Sequence, residues 1–196
     1  MPTTSEPSPG ARPRADARRN RDRLLAAAER AFNRFGAAAS LDDIARAAGV
    51  ANATLYRHFP TRGHLITAVY RERIDALCAA ATDLAGGGAA GDALLGWLNA
   101  VIDHIAVSRG LREAFVNAYG LRDGDETPEV AAWHRMTDAA AMPLLRDAQA
   151  AGLIRADLEV TELMTLVSAI AHAGNGDADH ARRLLTLTFE GLTSEG

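Results

Sequence analysis

Cysteine is nearly absent from this sequence, since Cys78 is the only one among 196 residues. A single cysteine excludes an internal disulfide, and the N-terminal segment lacks the apolar stretch of a signal peptide, so we expect a cytoplasmic protein. No apolar run approaches the ~20 residues that a membrane-spanning helix needs. A membrane partner is therefore not expected.

Motifs of catalysis and metal binding are also missing. The sequence has no phosphate-binding loop, no recognisable frame of paired catalytic carboxylates and no Cys-His nucleophile pair. Two acidic clusters, at residues 123–126 and 175–180, lack the full twelve-residue calcium pattern and are predicted to be solvated turns. We therefore expect a protein that is not an enzyme and that has no catalytic residue, no cofactor and no metal.

Lysine is absent as well, because all 21 basic residues are arginine. The formal charge of −4 hides a strong asymmetry along the chain. Residues 1–80 hold 13 arginines and 8 acidic residues, a formal charge of +5, whereas residues 81–196 hold 8 arginines and 17 acidic residues, a formal charge of −9. The positive first part is suited to contact with nucleic acid.

No segment sustains the alternation of apolar and polar residues that marks a half-buried strand. Apolar residues instead recur at helical spacing, and we predict an all-α fold with about nine helices. Besides two short helices within residues 40–59, the predicted helices span residues 22–35, 62–83, 92–108, 111–119, 128–151, 160–173 and 179–193. Thr127 and Pro128 are suited to start the seventh helix and Gly152 to end it, whereas Pro143 predicts a kink inside it.

Residues 40–59, SLDDIARAAGVANATLYRHF, predict two short helices joined by a turn. Ser40 can cap the first helix, and Gly49 provides the backbone freedom that the turn needs. Leu55 and Phe59, four residues apart, are predicted to bury one side of the second helix. Its open face is then polar, aromatic and basic, as expected of a helix that enters a DNA groove. The residues on or near that face are Asn52, Ala53, Thr54, Tyr56, Arg57 and His58.

The segment IARAAGVANATLYRHFPTRGHL resembles the DNA-binding signature of TetR-type transcriptional regulators, and the match extends from about residue 21 to residue 77. An amphipathic helix ends in Phe-Gly, in AERAFNRFG, and is followed by Ile-Ala-x-x-Ala-Gly-Val and Thr-Leu-Tyr-x-His-Phe. Three positions depart from the family pattern: Ala51 replaces a hydroxyl residue, Arg62 replaces a lysine, and Gly63 replaces an acidic residue. We expect Asn52 to cap the second helix of the motif in place of Ala51.

The resemblance implies a role for each residue of the open face. Tyr56, His58 and Arg62 are implied to contact phosphates of a double-stranded DNA operator, which fixes the register on the duplex. For Tyr56 and His58 the alternative is partial burial against the first helix of the motif. The residues implied to reach base edges are Asn52, Ala53, Thr54 and Arg57.

Residues 1–20 are rich in Pro, Ser, Thr and Arg without apolar periodicity, and they predict a disordered arm. This arm is either a solvated tail or a basic segment that lies in the minor groove beside the second helix of the motif. The arginines in question are Arg12, Arg14, Arg18, Arg19, Arg21 and Arg23. After the arm we predict a DNA-binding domain over residues 21–61, a linking helix over 62–83 and a further domain over 84–196.

By the same resemblance, residues 84–196 are implied to bind a small-molecule effector of unknown identity and to form a homodimer. A largely apolar effector would suit a pocket with a mixed apolar and aromatic lining. The alternative is ordinary core packing, which is common for Trp, Phe and Met at helical spacing. The candidate pocket residues are Trp97, Val101, His104, Phe115, Tyr119, Trp133, Met136, Met164 and His172.

The last two predicted helices carry apolar faces that are broader than one intramolecular contact needs. In the family these helices pair with their copies in a four-helix interface. Burial within a single chain is the alternative. The predicted interface residues are Leu163, Leu166, Val167, Ile170, Leu184, Leu185, Leu187, Thr188 and Leu192.

The sequence thus predicts a three-helix DNA-binding head with a helix-turn-helix, followed by a helical domain that the resemblance implies to bind a ligand and to dimerise. The implied function is that of a repressor that a small-molecule effector releases from a palindromic operator. Two alternatives stay open: a regulator of the same type that activates transcription, and an all-α enzyme or carrier with a vestigial head.

Overall fold

Nine α-helices and one short 3₁₀ helix make up the regular structure of the computed structural model, which describes residues 11–85, 87–122, 125 and 127–192. Within these ranges there is no strand, and the predicted all-α fold is confirmed. In chain order the elements are α1 (Ala11–Phe35), the 3₁₀ helix Gly36–Ala38, α2 (Leu41–Ala47), α3 (Asn52–His58), α4 (Arg62–Leu84), α5 (Ala90–Val107), α6 (Arg109–Tyr119), α7 (Pro128–Ala150), α8 (Val160–Ala173) and α9 (Ala178–Leu192).

α1 begins at Ala11, so residues 11–20 are helical where the sequence predicted a disordered arm. Pro13 falls in the first turn, where proline is tolerated, and Asp16 pairs with Arg19 one turn later. The packed part of the helix starts at Leu24. Extension from a helix that has already formed needs favourable propensity but no apolar face. Residues 1–10 of the predicted arm lie outside the described residues.

The helices form two compact units, each built from separate stretches of chain. The first unit combines residues 1–69 with 110–121, and the second combines residues 70–109 with 122–196. The boundary therefore falls inside α4, after Val69, and α6 belongs to the first unit. From the sequence we predicted domain boundaries at the two ends of the linking helix, with α6 in the domain of residues 84–196. The structure differs because periodicity does not show which helices pack together.

Five helices supply the core of the first unit, and α6 is one of them. A Cβ on Gly110 of α6 would lie 2.4 Å from the carbonyl oxygen of Phe32 in α1, so the close approach of these two helices requires glycine. At the other end of α6, the hydroxyl groups of Tyr119 and Thr67 are 2.8 Å apart. α6 is thus held at both ends within the first unit. The largest fully buried side chains of this core are Leu24, Phe32, Ile44, Leu55, Leu65, Ile66 and Leu111.

α5 packs against α7, α8 and α9 in the second unit. Its Trp97 is fully buried, and the indole N–H donates a hydrogen bond to the carbonyl oxygen of Leu77 at 2.9 Å. The rings of Tyr70 and Trp133 stack with their centroids 4.9 Å apart. None of the described helices combines the length and apolar character needed to cross a membrane.

α7 starts and ends where the sequence predicted. The hydroxyl of Thr127 accepts a hydrogen bond from the Val130 amide at 3.2 Å, and Gly152 follows the helix with a φ of +71°. The helix continues through Pro143, whose side chain is exposed. The proline therefore does not end the helix, and the predicted kink at this residue stays a prediction.

Candidate functional site

The helix-turn-helix segment folds as the sequence predicted. Ser40 caps α2, because its hydroxyl accepts a hydrogen bond from the Asp43 amide at 3.3 Å. Gly49 adopts a φ of +67°, a left-handed conformation that favours glycine, in the turn between α2 and α3. Leu55 and Phe59 are buried. One side of α3 is therefore held against the core of the first unit, and the other side is open.

Polar and aromatic side chains occupy the open side of α3. Tyr56 is 48% exposed. Arg57 is exposed and forms no ion pair with any residue that the structure describes, so its charge is available to a ligand. The other members of this face are Asn52 and Ala53, which are exposed, and Thr54, which is half-buried.

Asn52 does not cap α3, and this part of the prediction is wrong. Its side-chain amide instead donates a hydrogen bond to a carboxylate oxygen of Asp42 in α2 at 2.7 Å. The N-cap position is Ala51, which has no side-chain acceptor, and its carbonyl oxygen accepts from the Thr54 amide at 2.8 Å. The Asp42 contact orients the Asn52 side chain while leaving its carbonyl oxygen and one N–H for a further partner.

One ring nitrogen of His58 points into the protein. The Nε2 atom is buried and has no hydrogen-bond partner among the described residues, and the ring lies 6.2 Å from that of Phe59. This geometry supports the alternative of partial burial. A phosphate contact by His58 would have to use Nδ1.

Arg62 makes contacts within the chain that the sequence did not predict. Its guanidinium donates to the carbonyl oxygens of Ala39 at 2.5 Å, Ala37 at 2.8 Å and Gly36 at 3.3 Å. It also lies over the ring of Phe32, with the guanidinium carbon 5.1 Å from the ring centroid. Burial lowers the pKa of Arg62. The first residue of α4 thus ties that helix to the segment between α1 and α2, and the phosphate contact implied for Arg62 stays a prediction.

The residues predicted to bind an effector do not form a single cluster. Phe115 and Tyr119 belong to the first unit, where their ring centroids are 4.8 Å apart. The other candidates lie in the second unit. Of these, Trp97, Val101 and Trp133 are buried, His104, Met136 and Met164 are half-buried, and His172 is exposed.

Several of these side chains already have partners within the chain. Trp97 donates to Leu77, Trp133 stacks on Tyr70, and Nδ1 of His172 lies 2.6 Å from the carbonyl oxygen of Ser168. These contacts support core packing for the two tryptophans.

His104 differs from the tryptophans because its imidazole has no hydrogen-bond partner among the described residues. Burial, assisted by the nearby charge of Arg73, lowers the pKa of His104 to about 4. The ring is therefore neutral at physiological pH, and it can both donate and accept a hydrogen bond.

A cavity of about 190 Å³ in the second unit was not found by sequence reasoning. Its volume is below the ~300–1,000 Å³ of typical drug-sized sites. The signal in the sequence was the run of small residues after Leu84, which leaves space that larger side chains would fill. The lining residues, none of them a predicted effector contact, are Leu84, Gly88, Ala90, Ala93, Leu144 and Asp147.

The predicted dimer residues separate into two groups. Leu163, Val167, Ile170 and Leu185 are buried within the single chain, so they are corrected to core residues. Leu187, in contrast, is 55% exposed. Leu166, Leu184 and Thr188 are half-buried, and the side chain of Leu192 lies outside the described residues.

An open groove runs along the outer side of α8, and Leu166 is one of the residues that line it. The others are Thr161, Glu162, Thr165 and Ala169. α8 and α9 each carry apolar residues on more than one side, and periodicity alone does not show which side faces the core.

Two family models match the sequence. Residues 24–69 match the model described as bacterial regulatory proteins of the tetR family, and residues 89–194 match the C-terminal domain of SbtR-like transcriptional regulators. No curated protein sequence matches the chain significantly.

Solved structures with the same fold include the TetR transcriptional regulator SCO0520 from Streptomyces coelicolor. It is 34% identical, with a TM-score of 0.75, and the alignment covers 90% of this chain and 99% of that one. The TetR transcription regulatory protein from Mycobacterium vanbaalenii is 32% identical, with a TM-score of 0.74 and coverage of 92% and 99%.

Proposed function

The chain belongs to the TetR family of bacterial transcriptional regulators, and we propose that it is a homodimeric repressor that a small-molecule effector releases from a palindromic DNA operator. The observation that carries the proposal is the open face of α3. A short helix is held by Leu55 and Phe59 and presents an exposed tyrosine and an arginine without an ion-pair partner among the described residues. Such a face fits the major groove, where a helix reads base edges from its first turns.

Each side chain of this face has a chemistry that DNA can use. The Tyr56 hydroxyl can donate to a phosphate, and Arg57 can donate two hydrogen bonds to a guanine edge. Asn52, oriented by Asp42, keeps a carbonyl oxygen and an N–H for an adenine edge. We therefore assign Tyr56 to positioning, and Asn52 and Arg57 to sequence reading.

Replacing Tyr56 or Arg57 tests this assignment. We expect Tyr56→Ala to weaken binding to the operator and to unrelated duplexes by the same factor, because phosphates carry no sequence information. Arg57→Ala is expected to cost about 1–3 kcal/mol of operator binding and to relax the preference at one base pair. The measurement is fluorescence anisotropy on an operator that has first been defined by footprinting.

Two further variants serve as controls for this assignment. Tyr56→Phe removes only the hydroxyl and should reproduce most of the affinity loss of Tyr56→Ala. Arg135→Ala, at an exposed position of α7, should bind like the parent. Parent-like operator binding by both Tyr56→Ala and Arg57→Ala would contradict the orientation that we assign to α3.

We assign the dimer contact to the outer sides of α8 and α9, where Leu166 and Leu187 leave apolar surface uncovered. Binding of a two-fold dimer to a palindrome requires its two α3 helices to lie about one DNA turn apart, at roughly 34–36 Å. Each head would then contact one half of a palindrome.

Leu187→Glu should convert the dimer into a monomer, because pairing would bury an unpaired carboxylate. The side chain is 55% exposed in the single chain, so the fold should tolerate the change. Leu153→Glu is a matched control, at a leucine that is 40% exposed outside α8 and α9. Light scattering at micromolar concentration should show a monomer for Leu187→Glu alone, and a monomeric parent would exclude the proposed assembly.

We assign the effector response to the second unit, which is joined to the first unit by three continuous pieces of chain. α4 crosses the boundary after Val69, and the chain crosses it again between Arg109 and Gly110 at the start of α6 and between Leu121 and Arg122 after α6. Arg109 is held by Asn175, through its carbonyl oxygen at 3.0 Å and its side-chain oxygen at 2.6 Å. A ligand that shifts the α8–α9 turn would therefore act directly on the first residue of α6.

Such a ligand lowers operator affinity only if it binds the two states of the protein unequally, and a coupling of about 1–3 kcal/mol changes affinity about 5- to 150-fold. The experiment is a thermal-shift screen of small apolar and aromatic compounds, followed by operator titration with each hit. Compounds that stabilise the protein yet leave operator affinity unchanged would contradict the proposed release, and compounds that strengthen binding would favour activation.

A further inference from the structure

The N-terminal half of α1 is a basic helix that the apolar core does not explain. We call residues 11–23 the basic extension. It contains six of the 21 arginines and two aspartates, a formal charge of +4. Residues 15–23 are exposed or half-buried, and the first buried side chain of the helix is Leu24. Residues 15–23 of the extension therefore leave surface open to a partner.

The base of the extension lies beside the turn of the helix-turn-helix. Nη1 of Arg23 is 3.5 Å from the position that a Cβ on Gly49 would occupy, and α3 starts three residues later, at Asn52. From Arg23 the helix continues back to Ala11, which is about 18 Å at 1.5 Å per residue. The extension thus starts at the end of the head from which α3 would enter the DNA.

The charge of the extension is only partly compensated within the chain. Asp16 pairs with Arg19. Arg23 bonds the neutral side chain of Asn20 and keeps its charge uncompensated by that contact. Arg18 is exposed and makes no ion pair in the described part of the chain. Unpaired arginines on one helix repel each other, and a nearby phosphate relieves that repulsion.

We propose that the basic extension binds phosphates of the duplex that flanks the base pairs read by α3. A helix is about 10–12 Å wide with its side chains, whereas the minor groove is about 6 Å wide, so the helical part of the extension contacts the backbone and does not enter the groove. The contact is sequence-independent and adds to the affinity and the salt dependence of binding. This inference rests on the proposed DNA-binding function.

The test compares Arg18→Gln with Arg146→Gln, which removes the same charge from an exposed position of α7 in the second unit. Glutamine keeps a similar helix propensity. Binding of each full-length protein is measured between 50 and 200 mM salt, on the footprinted operator alone and on the operator extended by ten base pairs at each end. Each lost phosphate contact lowers the slope of log affinity against log salt by about 0.9 per bound protomer. We expect this decrease for Arg18→Gln on the extended duplex and the parent slope for Arg146→Gln.

Trimming the flanks should weaken the parent more than it weakens Arg18→Gln, because the variant has one flanking phosphate contact fewer to lose. Equal slopes for the parent and Arg18→Gln on the extended duplex, or a parent that binds both duplexes equally, would overturn the role of the extension. A parent that does not distinguish the operator from unrelated DNA would instead overturn the proposed function itself.

Discussion

Replacing Arg62 with methionine is expected to destabilise the protein by about 2–3 kcal/mol, since hydrogen bonds from a charged donor contribute about 1.5–3 kcal/mol and are not additive. The guanidinium bonds three carbonyl oxygens between α1 and α2 and covers the ring of Phe32. Methionine keeps an unbranched stem over the ring but donates nothing to the carbonyls. Urea denaturation at neutral pH measures the change.

Two variants separate this role from a phosphate contact. Arg62→Lys keeps a charge but lacks the planar fork, so it should recover only part of the lost stability. Arg57→Met, at an exposed residue, should change stability by less than about 0.5 kcal/mol. An Arg62→Met protein that is as stable as the parent, and whose operator binding has a smaller salt slope, would contradict the structural role and support the phosphate contact that the sequence implied.

The helix-turn-helix could be predicted from the sequence because its determinants are local. The Ser40 cap, the left-handed Gly49 and the buried pair of Leu55 and Phe59 each depend on residues within a few positions of one another. Arg62 illustrates the limit of this approach. Its three partners are 23 to 26 residues away, and only the folded chain shows that its guanidinium is occupied.

The assignments in the second unit were harder to predict for the same reason. α8 carries apolar residues on two sides, and the spacing of Leu163, Leu166 and Val167 does not show that Leu166 alone among them is partly exposed. Periodicity also does not predict hydrogen bonds between helices, such as the bond from the Trp97 indole to the Leu77 carbonyl. Long-range packing decides both, and it also places α6 in the first unit.

Acidification is expected to destabilise the protein through His104. Its pKa is about 4 in the folded chain, mainly because of burial, against about 6.5 when unfolded. Between these two pKa values the unfolded chain therefore binds more protons than the folded chain. The free energy of unfolding is highest above about pH 6.5 and decreases as the pH falls to about 4. The full pKa shift corresponds to as much as about 3 kcal/mol in the free energy of unfolding, of which about 2 kcal/mol is lost by pH 5.

His104→Gln should remove this part of the pH dependence, because glutamine does not titrate. Urea denaturation of the parent and the variant at pH 7.5, 6 and 5 should give similar stabilities at pH 7.5 and a variant that is more stable than the parent by about 2 kcal/mol at pH 5. His180→Gln, at an exposed position in α9, should behave like the parent. Parallel curves for the parent and His104→Gln would mean that the imidazole is solvated and titrates normally. The expected divergence would mark His104 as a neutral, unpaired imidazole that an effector in the second unit could bind.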